Sequence, residues 1–345
     1  MLSMSLTLST FFLMVIAVEP KKYYIIYRDG VGAGFFSNVF HVLGHVCVAQ
    51  AKGLIPIVDM ERHVTLYNED HSILGTRNSW EYYFHPLVDD CPPLEDIYDK
   101  GNYVMSDGKF HGFIFDLCMS PNNEQFVEIM KQVIKPKRYI MEAVNAYVRE
   151  NLLSKRILGV HLRGWEMSIA TGHAHPPTCE QILERIYYMM SIYPVDKIYL
   201  ATEQSDYVDM LKAEFGDKLL YYPNYFRTPN KVNAYKLRPY PRDDHMYLLG
   251  KEVLVDTIIL SRADYLICLG HPQIPNISGS NVATAAIMMN NKNYKHIDFI
   301  HNGCNFDGKI SPAYRIQAEE AWHERHFLSA AKLYRQYLVR KIKGK

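Results

Sequence analysis

Several familiar signatures are missing from this chain. Its six cysteines are scattered, with no Cys-x-x-Cys pair and no combined Cys/His spacing that resembles a zinc site, so neither a thiol-redox motif nor a structural zinc module is present. There is no Asp-x-Asp triplet; Asp89-Asp90 and Asp243-Asp244 are adjacent pairs in loop-like sequence. No Gly-Lys-Ser/Thr follows the glycines near residue 32, and Gly30, Gly32 and Gly34 miss the final spacing of the dinucleotide fingerprint. Neither charge sign dominates: the net charge is +1, which argues against a bulk electrostatic grip on nucleic acid. Internal repeats and low-complexity tracts are absent. The apolar run Leu6 to Val18 is shorter than the about 20 residues a membrane helix needs.

What remains is an ordinary globular composition. With 345 residues, 48% hydrophobic and 22% charged, the chain can bury one large core or two of common size. The 26 tyrosines and 15 phenylalanines suit either an aromatic core or a large groove. Cys47 and Cys268 sit in apolar runs and are expected as buried thiols. Near the start, Val15-Ile16-Ala17 offers small residues for signal-peptidase cleavage, although no Lys or Arg precedes the run and Lys21-Lys22 follows it. Residues 4–18 are therefore read as a signal or anchor segment, which would direct the chain to the secretory pathway or Golgi. The alternative is a cytoplasmic protein with an apolar N-terminus.

Strand and helix patterns alternate along most of the chain. Tyr23 to Tyr27 reads as a strand, residues 28–38 as a glycine-bearing loop, Val39 to Lys52 as a helix and Leu54 to Val58 as a second strand. Glycines there let a backbone approach a ligand closely, or simply make a tight turn. His41 and His45 are one helical turn apart, as a metal pair or as helix-face histidines. Asn78 to Phe84 is an aromatic patch, and residues 91–121 read as largely irregular. Residues 123–151 read as two helical pieces broken near Pro136.

Beyond a boundary near 150, the pattern is Ile157–Leu162 strand, Thr178–Tyr193 helix, Val195–Glu203 strand, Ser205–Phe215 helix and Lys218–Tyr222 strand. A long proline-bearing loop then runs from 223 to 248, a length that usually signals function. Helix Gly250–Ser261, strand Tyr265–Leu269 and a helix opened by Ser278 to Asn281 complete the series. Such alternation predicts a doubly wound α/β unit. Residues 313–342 read as amphipathic helix with a basic end, placed against anionic lipid or in solvent. The expected organisation is a signal or anchor at 1–20, a Rossmann-like domain at 21–150, a nucleotide-binding one at 151–310 and a helical extension at 311–345.

The chemistry centres on Ile157 to Glu166. His161 and Arg163 repeat at the two-residue period of a strand and leave its carboxyl end together, where open α/β sheets bind ligands. Arginine's rigid five-donor fork suits phosphate oxygens. Arg163 is thus a candidate anion-binding, catalytic residue, with a carboxylate-paired arginine at a domain seam as the competing structural role.

Gly159-Val160-His161-Leu162-Arg163 is followed twelve residues after the arginine by His175-Pro176. Next come Ile198-Tyr199-Leu200-Ala201-Thr202-Glu203, then Val253 to Asp256, Leu260-Ser261, Ala263-Asp264 and Ser280 to Ala283. At the front stand Gly30 to Gly34, Asn38 and His41. In this order the motifs resemble those of the inverting α-1,6 fucosyltransferases, including the nodulation fucosyltransferases, with protein O-fucosyltransferases as more distant relatives. The similarity covers most of the chain and is poor from 60 to 150. It implies a GT-B fold with two Rossmann-like domains facing across a cleft, GDP-fucose as donor, a glycan hydroxyl as acceptor, inversion, and no metal or other cofactor. In the family's terms Arg163 would neutralise the leaving diphosphate. His161, Glu203, Asp256, Ser280, Asn281 and Asn38 would hold the donor, Asp256 through guanine or ribose, and Gly32 and Gly34 would let the opposing domain close over the sugar. The competing structural roles are a helix-face aspartate for Asp256 and a helix cap for Ser280-Asn281.

The sequence also departs from that family. Gly164-Trp165-Glu166 replaces the usual Arg-Thr-Asp or Arg-Arg-Thr-Asp continuation, and Met167 and Thr171 stand where the α-1,6 enzymes carry a lysine and a glutamate. Glu203 stands where aspartate is common. Glu166 and His173 are the nearby candidates for the base. Two further readings remain at this point: a transferase with a different nucleotide sugar, and a non-catalytic glycan- or nucleotide-binding relative.

Overall fold

The computed structural model describes residues 22–109, 124–164, 173–271, 277–290 and 293–302. The apolar N-terminal run, Glu166, Cys118, Cys304 and the expected helix 313–342 lie outside the described residues. Among those described, no helix is long and apolar enough to cross a membrane.

Two parallel sheets organise the chain. The first has the order β2-β1-β3, from β1 (Tyr23–Ile26), β2 (Ile55–Val58) and β3 (Tyr103–Met105). Between β1 and β2 runs α1 (Phe35–Ala51), and α2 (Ser79–Tyr83) and α3 (Leu94–Lys100) precede β3. Alternation along β1 sends Tyr24 and Ile26 to the main core and Ile25 to a small cluster with Ile57 and Ile97. The reading of 91–121 as irregular is corrected here: α3 and β3 are regular. The short α3 has acidic Glu95 and Asp96 in its first turn, Lys100 in its last, and Gly101 closing it at φ 63°, a dipole-matched helix with a left-handed stop.

Two helices, α4 (Glu124–Val133) and α5 (Arg138–Asn151), lead to the second sheet. Its strands are β4 (Ile157–Leu162), β5 (Lys197–Thr202), β6 (Leu219–Leu220), β7 (Tyr265–Leu269) and β8 (His296–Ile300), in the order β6-β5-β4-β7-β8. Strand β8 extends the sheet beyond the sequence-based reading. The connecting helices are α6 (Cys179–Ile192), α7 (Ser205–Phe215), α8 (His245–Leu260) and α9 (Asn281–Asn290). Connections leave β4 toward β5 and β7 toward β8, in opposite directions. The switch point therefore lies between β4 and β7, where such sheets open a crevice at the strands' carboxyl ends.

Helix α8 starts at His245, five residues before the expected Gly250, and 14 of its 16 residues are buried. The sequence carries no single apolar stripe there because both sides of the helix are packed. Gly159 on β4 faces α8: a Cβ there would lie 2.8 Å from Leu260 Cδ1 and 3.1 Å from Ala263 Cβ. The opposite face of β4, Leu158, Val160 and Leu162, packs with Ile182, Ile186 and Met189 of α6. One continuous core of residues from α1, α5, α8, α9 and both sheets joins the two halves. Cysteines 47, 91, 179 and 268 are free thiols; Cys268 is buried as expected, whereas Cys47 is only partly covered.

Candidate active site

A cleft of about 490 Å³ opens at the carboxyl ends of β1, β4 and β5. Its lining brings together eight of the residues singled out in the sequence: His161, Arg163, His173, Glu203, Asp256, Asn281, Gly32 and Gly34. Asn38 and Ser280 stand behind the wall and do not line it.

Local structure explains how each arrives. His161 occupies the α8-facing side of β4, opposite Ala201 in the parallel register. It is 4% exposed, and burial together with the Arg163 charge lowers its pKa to about 3. The ring is therefore neutral at physiological pH, and its Nδ1 is buried with no partner among the described residues. Arg163 is the first residue past β4, whose last register pair is Leu162–Thr202; no ion pair or hydrogen bond engages it among the described residues. That is evidence against the domain-seam alternative, in which a carboxylate would hold it. His173 also lines the cleft, with a pKa lowered by burial and by Arg163.

Asp256 projects from α8. Tyr199 Oη donates to its Oδ1 at 2.5 Å, and burial raises its pKa to about 7 against the opposing pull of Arg227 and the tyrosine bond. Glu203 follows β5 and accepts the Gly164 N–H at 3.2 Å. A Cβ at 164 would stand 2.8 Å from Glu203 Oε1, so the glycine that departs from the family pattern is the one that admits the longer acid beside it. Asn281 begins α9, whose first N–H groups have no intrahelical acceptor. Ser280 sits just before it: its carbonyl accepts from Thr284 N at 2.9 Å, and its hydroxyl is buried without a partner among the described residues.

The opposite wall holds groups that the sequence reading missed. Arg28, directly after β1, lines the cleft, with Nη1 donating to Ser37 Oγ at 3.0 Å and to Asn38 Oδ1 at 3.3 Å. Burial lowers its pKa. Asn38 thus helps to orient Arg28. Tyr67 and Tyr235 meet across the cleft, hydroxyl to hydroxyl, at 3.2 Å. Tyr235 and Lys236 belong to a short 3-10 turn that Asn233 caps by accepting from Tyr235 N at 2.8 Å. The 223–248 loop is fixed onto the sheet and α8. Arg227 donates to the carbonyls of Thr202 and Tyr222, and Arg242 forms a two-pronged pair with Glu252 at 2.5 and 2.9 Å. Loop length was the available signal; which of its side chains turn inward was not encoded locally.

The histidine pair of α1 is structural in its surroundings. His41 Nε2 contacts the Tyr27 carbonyl at 2.8 Å, and His45 Nδ1 contacts Tyr24 Oη at 3.0 Å. Among the described residues no group of three His, Cys, Asp or Glu could hold a metal ion.

Two parallel α/β sheets with a polar cleft at their strands' carboxyl ends define the class: a GT-B-like α/β architecture. Among solved structures, the chain is similar to the NodZ α-1,6-fucosyltransferase soaked with GDP-fucose, at a TM-score of 0.51 and 17% identity over 78% of this chain and 93% of that one. The fucosyltransferase NodZ from Bradyrhizobium gives 0.51 and 16% identity over 77% and 93%. At such identities the likeness establishes the fold. No family model and no curated protein sequence matches the chain.

Proposed function

We propose that the chain is a glycosyltransferase that moves fucose from GDP-fucose to a glycan hydroxyl, with inversion at the anomeric carbon and without a metal ion. The observation that carries this reading is Arg163: a guanidinium at the sheet's switch point, lining the cleft, with no carboxylate partner among the described residues. When a sugar leaves a nucleoside diphosphate, negative charge builds on the β-phosphate. Arg163 and the free N–H groups at the start of α9 would take it up, donors fixed in advance where the charge develops. Neutral His161 would hold the ribose or phosphates by a single hydrogen bond. Asp256, when ionised, is an acceptor-only group suited to guanine's N1–H and N2–H.

The fold of the NodZ structures, one soaked with GDP-fucose, supports this choice of donor. On this reading residues 151–310 hold the donor and residues 21–150 face the acceptor, with Arg28 and Tyr67 on the acceptor side and Tyr235 meeting Tyr67 from the donor side. The test is calorimetry with GDP and UDP, followed by GDP release from GDP-fucose with and without chelator. Binding of GDP in preference to UDP and chelator-insensitive release are expected. Preference for UDP, or release abolished by chelator, would overturn the donor or the metal-free chemistry respectively.

A further inference from the structure

Among the described residues two carboxylates line the cleft, Glu203 and Asp256. Asp256 is already engaged by the Tyr199 hydroxyl on the buried face of α8. Glu203 is placed differently. Extending the β4–β5 register by one residue beyond Leu162–Thr202 sets it beside Arg163, yet no ion pair joins the two. One carboxylate oxygen is held by the Gly164 N–H. The acid also bounds a second, smaller cavity with Gly164, Gln204, Thr228 and Tyr235. A side chain at 164 would meet Oε1 at 2.8 Å, Cγ at 3.1 Å and Gln204 Oε1 at 3.3 Å. The carboxylate can occupy this place only because residue 164 is glycine.

We infer that Glu203, expected from the motif order to hold the donor, is instead the general base that deprotonates the acceptor hydroxyl, an assignment that rests on the transfer proposed above. One oxygen is fixed by Gly164 N–H and the other accepts the acceptor's O–H proton. The acceptor oxygen then bonds to the anomeric carbon on the face opposite the diphosphate. The bond from that carbon to the diphosphate oxygen breaks, and its electron pair leaves with GDP toward Arg163. Gly164 is the positioning residue.

The acceptor need not be known to test this, because water can serve. GDP release from GDP-fucose into water should fall roughly 10²–10⁴-fold in E203Q, while GDP affinity by calorimetry stays within about twofold of wild type. Azide attacks without losing a proton, so sodium azide should restore GDP release in E203Q and yield fucosyl azide of inverted configuration. The G164A variant should fold, because the atom in its way is the end of a flexible side chain. It should nevertheless lose about tenfold in hydrolysis through a misplaced base. An active wild type whose E203Q variant hydrolyses at a similar rate, or gains nothing from azide, or loses GDP binding, overturns the assignment alone. A wild type that releases no GDP from GDP-fucose removes the donor reading, and this base with it.

Discussion

At Gly159 an added Cβ would press on Leu260 and Ala263, and at Gly164 on Glu203; at Gly32 and Gly34 it would meet nothing within 4 Å. The two walls of the cleft thus use glycine for different reasons. On the second sheet it permits close packing of α8 against β4 and of Glu203 against Gly164. On the first it leaves open space over the site. The arginines reverse that contrast: Arg163, on the packed wall, has no partner among the described residues, whereas Arg28, on the open wall, is held by Ser37 and Asn38. The packed wall is suited to fix charge at the reacting atoms, and the open wall to admit a substrate.

The largest expected break in this comparison is between the arginines. Arg163→Ala should lower GDP release from GDP-fucose by about 10²–10³-fold, the loss typical of a group that stabilises developing charge. Lysine should rescue it poorly, because a point charge does not reproduce the planar fork. Arg28→Ala should cost about tenfold, mainly in KM. Equal losses in kcat at the two positions would show that the walls do not divide the work in this way.

The glycines come next. Gly159→Val should lower unfolding stability in urea by about 1–3 kcal/mol, the usual penalty of overpacking. Gly32→Ala should change it by less than about 0.5 kcal/mol. A neutral valine at 159 would mean that α8 can withdraw from β4.

Asp256 sharpens the picture of the packed wall through pH. Its carboxyl ordinarily titrates near 3.8 and is raised to about 7 here by burial. Between those values the folded state binds more protons than the unfolded one, so stability contributed by this group falls as pH rises through that window. In Asp256→Asn that part of the slope should vanish in urea titrations from pH 4 to 8. If the ionised carboxylate receives guanine, GDP affinity should run the other way, weakening by about fivefold from pH 7 to pH 6.

The contrast between the walls also marks what could be read from residues alone. The limits of α7 and β7 coincide with the sequence-based ones because caps, loops and periodicity agree locally at Ser205–Phe215 and Tyr265–Leu269. His161 and Arg163 were legible because they leave the carboxyl end of a strand in a doubly wound sheet; Glu203, Asp256 and Asn281 were singled out only by the resemblance in motif order, Asp256 lying well inside α8. Arg28, Tyr67, Tyr235 and Lys236 were not, since loops of different regions bring them together. The first turn of α8 was hidden by the proline-bearing loop before it, and α3 and β3 by a Tyr- and Asp-rich stretch with little apolar periodicity.

The smallest effect concerns the span between the walls. Tyr67 and Tyr235 meet hydroxyl to hydroxyl, with ring centroids 5.9 Å apart and nearly perpendicular. Each Phe substitution removes one hydroxyl and leaves the ring contact, so each should cost about 0.5–1.5 kcal/mol in urea unfolding. Because the two hydroxyls share one bond, the double variant should be destabilised by less than the sum of the single ones, with a coupling of about 0.5 kcal/mol or more. Additive losses would mean that the hydroxyls act independently and that the 223–248 loop is held by its other contacts, among them Arg227 and the Arg242–Glu252 pair. A coupled loss accompanied by a raised KM for GDP-fucose would place this tyrosine bond in setting the width of the cleft, since in the proposed mechanism neither hydroxyl neutralises the leaving diphosphate.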